Sequence, residues 1–198
     1  MVCSIGGDWR LDTVVAQGCR PIGPVFSIEQ VQRNVLLELS DGERKDTPVA
    51  CLQRVLADLN SEDRERVRHS LFLGIERRTL QLNPKHPAQS EAAFLVRNLI
   101  GVDPKNGAVA VADRVRPGMN VQFQLREADA SREEALSLLQ AAATADESAP
   151  VFGLLMACLG RGQGLFGAPD GDVTLGRQVM PGLPMAGAFC NGEIGPVA

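Results

Sequence analysis

Residues 151–190 read VFGLLMACLGRGQGLFGAPDGDVTLGRQVMPGLPMAGAFC: an apolar run, a glycine-rich loop, a short helical piece stopped by Pro181-Gly182, and a second apolar run. Strands spanning Val151 to Leu159 and Pro184 to Cys190, joined through a helix from Val173 to Val179, are too far apart in sequence for a hairpin. They are expected to lie parallel in one sheet. A right-handed crossover then brings their C-terminal ends to the same edge. Loops at that edge are where open α/β sheets bind ligands.

The glycines of the loop, Gly162-Gln163-Gly164-Leu165-Phe166-Gly167, satisfy G-x-G-x-x-G after an apolar run, the formal outline of a dinucleotide fingerprint. That chemistry needs a helix opening at the glycines, so that its N–H groups meet the pyrophosphate. Pro169 and the turn Asp170-Gly171-Asp172 come instead and set two carboxylates where phosphates would lie. Nucleotide binding is therefore not expected, and Asp172 is read as a helix N-cap.

On the shared edge the sequence places Cys158, Arg161, Cys190, Asn191 and Glu193. A guanidinium suited to a carboxylate, a carboxylate suited to an ammonium group and an amide that donates and accepts are the parts of a site for a small zwitterion such as an amino acid. The bland alternative is that Arg161 and Glu193 pair with each other or face solvent. Catalysis has less support. A thiol nucleophile at Cys158 or Cys190 needs a base or a positive neighbour, and the two histidines, His69 and His86, are distant in sequence and read as exposed loop residues. No catalytic residue is assigned, and an enzyme is the less favoured reading, although Arg161 could activate a neighbouring thiol.

The 198 residues carry a net charge of −4, with 44% hydrophobic and 22% charged residues. A chain of this size buries about 70% of its unfolded surface and folds without staples. The acidic balance and the absence of basic runs interleaved with aromatics exclude the footprint of a nucleic-acid binder. No window reaches the ~18 apolar residues of a membrane span, and the N-terminus MVCSIGGDWRLD has no leader pattern, so a cytoplasmic protein without membrane contact is expected. Five widely spaced cysteines with no C-x-x-C pair signal neither a disulfide framework nor a zinc site. No metal or cofactor is expected.

Elsewhere the pattern is α+β: a mixed, largely antiparallel sheet with helices packed on it and the parallel crossover pair near the C-terminus. VVAQGCRPIGPVF (Val14 to Phe26) reads as a strand running into a connection marked by Pro21, Gly23 and Pro24. Thr47-Pro48 opens a helix with an apolar stripe at Val49, Leu52, Val55, Leu56 and Leu59, and a polar helix follows from Ser61. LFLGIE and AFLVRNLIGVD are buried strands. The second turns at Asn106-Gly107 into a hairpin return. NVQFQLRE alternates Val121, Phe123 and Leu125 with a wet face at Gln122 and Gln124. Ser131 and Glu134 form a capping box for a helix from Arg132 to Ala143.

GCRPIGPVF (18–26), FLVRNLIGVD (94–103), CLGRGQGLFG (158–167) and FCNGEIGPV (189–197) together resemble, in order, the C-terminal half of the FIST sensory family, the F-box and intracellular signal transduction proteins. The resemblance implies a small-ligand sensory domain, with amino acids as the suggested ligand class and a signalling protein as partner. It also implies that residues 1–21 are the remnant of an N-terminal FIST domain, including its last strand at Val14 to Gly18, and that residues 22–198 are the FIST C-terminal domain lacking its last strand. A missing strand would leave a sheet edge open to association. The expected function is ligand sensing without catalysis. A thiol-dependent enzyme at Cys158 or Cys190 and a protein-interaction scaffold are the alternatives.

Overall fold

The computed structural model describes residues 6–77, 93–145 and 149–191. Among these, residues 17–131 form one compact unit, and residues 6–16 with 132–191 form another.

The first unit holds seven strands, β1 (Cys19–Gln32), β2 (Val35–Ser40), β3 (Lys45–Asp46), β4 (Leu71–Arg77), β5 (Ala93–Val102), β6 (Val109–Val111) and β7 (Asn120–Arg126). Their order is β1-β7-β4-β5-β6-β2-β3, with every pairing antiparallel, and β1 pairs with β2 as well as with β7. Six strands thus close on themselves and β3 hangs from β2. The largely antiparallel sheet expected from the sequence is a small closed barrel, in which pairing around the circle leaves no free edge.

Closure depends on β1 bending. Its first part pairs with β7 from Cys19 to Ser27 and its second with β2 from Ser27 to Gln32. The ladder skips between Ile22 and Phe26, where Gly23, Pro24 and Val25 bulge out. A bulge sharpens bend and twist. Pro24 falls where the ladder is already broken, so its missing N–H costs nothing there, and Gln122 Nε2 donates to the Gly23 carbonyl at 2.8 Å. The proline and glycine cluster expected to mark a connection is therefore the corner of a fourteen-residue strand. Val14 to Gly18, expected as a strand, carries no regular structure.

Ile22, Phe26, Ile28, Leu36, Leu39, Leu73, Ile75, Val111, Val121, Phe123 and Leu125 are each no more than 3% exposed and form one cluster. Phe26 and Phe123 meet edge to face with ring centres 5.8 Å apart. Burying each such side chain contributes about 1.5–3 kcal/mol. Gln124, expected on a wet face, is buried, lying against Gly74, where no side chain competes for the space.

Helix α1 (Pro48–Asp58) starts as the sequence implies, with Thr47 Oγ1 accepting from Ala50 N at 3.3 Å. It gives Cys51 and Val55 to the barrel core, with Leu52 and Leu59 packed at its margin. Helix α2 (Ser61–Ser70) is capped by Asn60, and His69 stands exposed in its last turn. Arg20 of β1 bridges Asp63 of α2 at 2.9 Å and Glu127 at 3.1 Å, and Arg66 of α2 reaches the same Glu127 at 3.2 Å. Helix α3 (Ala128–Thr144) begins one turn before the expected capping box. Ser131 lies inside it, fully buried, donating its hydroxyl proton to the Gly18 carbonyl at 3.0 Å. A tertiary bond has taken the side chain that local capping would have used.

The second unit contains β8 (Gly153–Cys158), α4 (Gln163–Phe166), α5 (Gly171–Val179) and β9 (Met185–Cys190). β8 and β9 are parallel, as the sequence implies, in a sheet of their own.

Gly23 has a φ of +70°, and a Cβ there would collide with both γ-methyls of Val55. Gly23→Ala should lower unfolding stability by about 2–4 kcal/mol, strain and overpacking together. Gly42→Ala, at a φ of +96° with open space around it, should lose only about 1–2 kcal/mol. Urea midpoints compare the two, and equal losses would remove the role of the α1 contact.

Candidate functional site

β8 and β9 run in strict register from Gly153 opposite Met185 to Cys158 opposite Cys190. The pair is closed at both ends by backbone bonds, Gly153 N to Pro184 O and Leu159 N to Cys190 O, each 2.9 Å. The two thiols therefore end neighbouring strands side by side, and the loops after the strands leave from one edge. Both cysteines are partly exposed, with the Cys190 thiol directed to the Ala188 carbonyl at 3.7 Å.

The loop after β8 turns at once, with Arg161 N bonding Cys158 O at 2.8 Å. Gly162 takes a φ of +88° and faces the Phe189 ring so closely that a Cβ would stand 3.0 Å from it. A single helical turn, α4, opens directly at Gly162 and ends at the left-handed Gly167. The sequence implied no helix at these glycines, and the structure supplies one turn. Four residues are too few to build the aligned peptide dipole that a pyrophosphate site uses.

Arg161 does not point to solvent. Its Nε and Nη2 grip Asp172 of α5 at 2.9 and 2.6 Å, with the two side chains 8% and 13% exposed. Its guanidinium also lies 5.3 Å from the centre of the Phe166 ring, while Arg132 stands 5.4 Å from that ring and donates to the Phe166 carbonyl. Burial works to lower the Arg161 pKa, but the hydrogen bonds and charge of Asp172 outweigh it and the value is raised. The group stays charged throughout the working range. Asp172 is thus the partner of Arg161 and not the N-cap of α5, a position that Asp170 occupies without a side-chain bond. The fork that the sequence offered to a ligand carboxylate is taken by Asp172. Nη1 remains, buried and without a hydrogen-bond partner among the described residues.

Asn191 follows β9 directly and is exposed. Glu193 lies outside the described residues, as do His86 and Cys3. Asp172 is the site residue whose role sequence reasoning missed. Its signal was present, since an acid in the first turn of the crossover helix faces a lone arginine in the loop before it. Two surface hollows lie elsewhere, one between α1 and α2 beside Leu56, Arg64 and Val67, another beside Val179 to Pro184. Both are shallow and neither gathers opposite charges, so the edge at Cys158 carries the stronger chemistry. Among the described residues no three His, Cys, Asp or Glu side chains gather as metal ligands, and no helix is long and apolar enough to cross a membrane.

The FIST C domain matches residues 48–196 and the FIST N domain matches residues 1–42. The chain belongs to the FIST family, whose domains are associated with sensing in signal transduction. It is 37% identical over 186 residues to an uncharacterized protein of Mycobacterium tuberculosis strain H37Rv, covering 94% of this chain and 46% of that protein. An uncharacterized protein of Mycobacterium bovis is 32% identical over 185 residues, 93% and 46% of the respective chains. The chain thus spans about half the length of the curated relatives it matches. No solved structure matches it.

Two outcomes check this geometry. Asp172→Ala leaves Arg161 buried and uncompensated and should cost about 3–5 kcal/mol in urea unfolding, most of it recovered in the double variant Arg161→Met, Asp172→Leu. Equal losses in single and double variants would mean that the pair is not a buried unit. In native protein at pH 8.5, iodoacetamide should label Cys158 and Cys190 and spare Cys51, which is fully buried and whose thiol burial pushes above its ordinary pKa. Comparable labelling of Cys51 would place α1 off the barrel.

Proposed function

We propose that this chain is a small-ligand sensing module of intracellular signal transduction that acts by binding and not by catalysis. The ligand is a small zwitterion of the amino-acid class, and a cytoplasmic signalling protein reads the bound state. The observation that carries this is the Arg161 guanidinium: held in place by Asp172, nine-tenths buried, and left with one unpaired donor edge at Nη1. A buried donor without a partner costs about 1–3 kcal/mol; Nη1 is covered in the free protein, so an oxygen of a bound carboxylate recovers that cost by displacing the atoms that cover it. Asp172 fixes the guanidinium before the ligand arrives, which lowers the ordering cost of binding.

The register of β8 and β9 supports Cys158, Cys190 and Asn191 as further contacts, and Glu193 is assigned from its place in the sequence. Cys158 and Cys190 line the edge, Asn191 supplies an amide beside them, and Glu193 is assigned to the ligand's ammonium group. This set accepts a carboxylate through one donor, so a ligand with a single carboxylate fits better than one requiring a bidentate clamp.

Differential scanning fluorimetry of the chain against the twenty amino acids tests the reading. A ligand at 100 times its dissociation constant stabilises by about 2.7 kcal/mol, an upward shift of roughly 5–11 °C for a chain of this size. Asn191→Ala, an exposed change, should leave the melting temperature of the free protein in place and reduce the ligand shift. Arg161→Lys, which removes the planar fork, should abolish it. A shift untouched by both variants, or no shift with any amino acid, would overturn the assignment.

A further inference from the structure

We infer that Cys158 and Cys190 are a dithiol modification site that closes to a reversible intramolecular disulfide by exchange with a low-molecular-weight disulfide. The inference stands on the β8–β9 register alone and holds whether or not the edge takes an amino acid.

The backbone decides it. Neighbouring strands stand about 4.8 Å apart, and Cys158 and Cys190 are direct partners in the ladder. That spacing lies inside the Cα window of about 4.4–6.8 Å that disulfides occupy. Register partners in a parallel pair project to the same face, so the two Cβ atoms rise together. They share it with Leu154, Met156, Ala186 and Ala188, all exposed. A reagent in solvent therefore has access, whereas Ala157, one residue earlier on the opposite face, is buried. Backbone bonds at Gly153 and Leu159 hold both ends of the pair, so the thiols cannot drift apart along the strands. Both cysteines are free thiols in the structure.

The exchange balances in two steps. The thiolate of one cysteine attacks a sulfur of the small disulfide, forming a mixed disulfide and expelling one small thiolate. The thiolate of the second cysteine attacks the protein sulfur of that mixed disulfide, forming the Cys158–Cys190 bond and expelling the other small thiolate. The two protons lost by the cysteines end on the two small thiols. The small disulfide is the oxidant, reduced by two electrons as the pair is oxidised by two. Directly adjacent strands lie toward the short end of the allowed spacing, and links held away from the relaxed distance are the more easily reduced. A small dithiol should therefore reopen the bond.

The test uses the whole chain and glutathione disulfide as the probe. In wild type, Cys158 and Cys190 should lose their thiols together without gaining glutathione, and digestion should give one linked peptide pair that dithiothreitol separates. Cys158→Ser and Cys190→Ser should each stop at the first step, with glutathione retained on the remaining cysteine. Because the wild-type peptide map needs no variant, a folding failure in either substitution leaves the outcome readable. Persistent glutathione on both cysteines, two untouched thiols, or a link from either residue to another cysteine or another chain would each overturn the proposal. None of these outcomes bears on amino-acid binding, which the fluorimetry reads separately with reduced protein.

Discussion

The register of β8 on β9 is the constraint on which the candidate site rests. Two parallel strands need a long crossover, and here that crossover carries α4 and α5. It must leave and return without pulling the strands out of step. It does so because Phe166 of α4 is buried against Gly171 at the start of α5, and Gly176 of α5 makes room for the end of the Met185 side chain on β9. With helix and strand seated in this way, Cys158 and Cys190 finish level, and Arg161 enters the crossover three residues later. A slip of one residue would turn every side chain of β9 to the other face.

The two units use opposite solutions to the problem of unpaired strands. In the barrel, β1 is long enough and bent enough to pair with β7 and β2 in turn, so six strands share one ring and one apolar cluster. The β8–β9 pair has only two strands, and one of its faces presents Leu154, Met156, Ala186 and Ala188 to solvent. Two strands alone are marginal in water, and among the described residues the crossover helix α5 packs on this pair through Gly176 and Met185. The stable element and the element carrying the candidate chemistry are thus different, a common division between scaffold and site.

Arg161 shows how a charge can be held inside packed structure. Desolvation opposes its charge, Asp172 restores it with two short bonds, and aromatic contact with Phe166 covers part of the plane. A buried pair of this kind contributes little net stability compared with apolar residues of the same volume, yet is costly to break on one side. What it adds is orientation. The guanidinium is held while one donor edge stays unpaired, an arrangement that a freely rotating surface arginine would lack.

Much of the fold was legible in the chain alone, because the signals were local. Thr47-Pro48 specified the start of α1, Asn106-Gly107 the hairpin of β5 and β6, and the two apolar runs with a helix between them the parallel pair. The misreadings came where a distant contact overrode a local one. Pro21, Gly23 and Pro24 look like punctuation until a strand must bend around a barrel. The hairpin turn after β1 centres on Arg33 at a φ of +60° and carries no glycine to announce it. Ser131 caps nothing because Gly18 claims its hydroxyl, and Gln124 is dry because it fills the space beside Gly74.

At the candidate site the residue types at the shared edge were set by sequence, since chemical identity and order along the chain require no folding to read. Which groups meet was decided by tertiary structure: the closure of the barrel, the level finish of Cys158 and Cys190, and the capture of Arg161 by Asp172. Ring closure and strand register are selected by contacts between segments far apart in the chain, and the Arg161–Asp172 pair by how the crossover between the two strands folds back on itself.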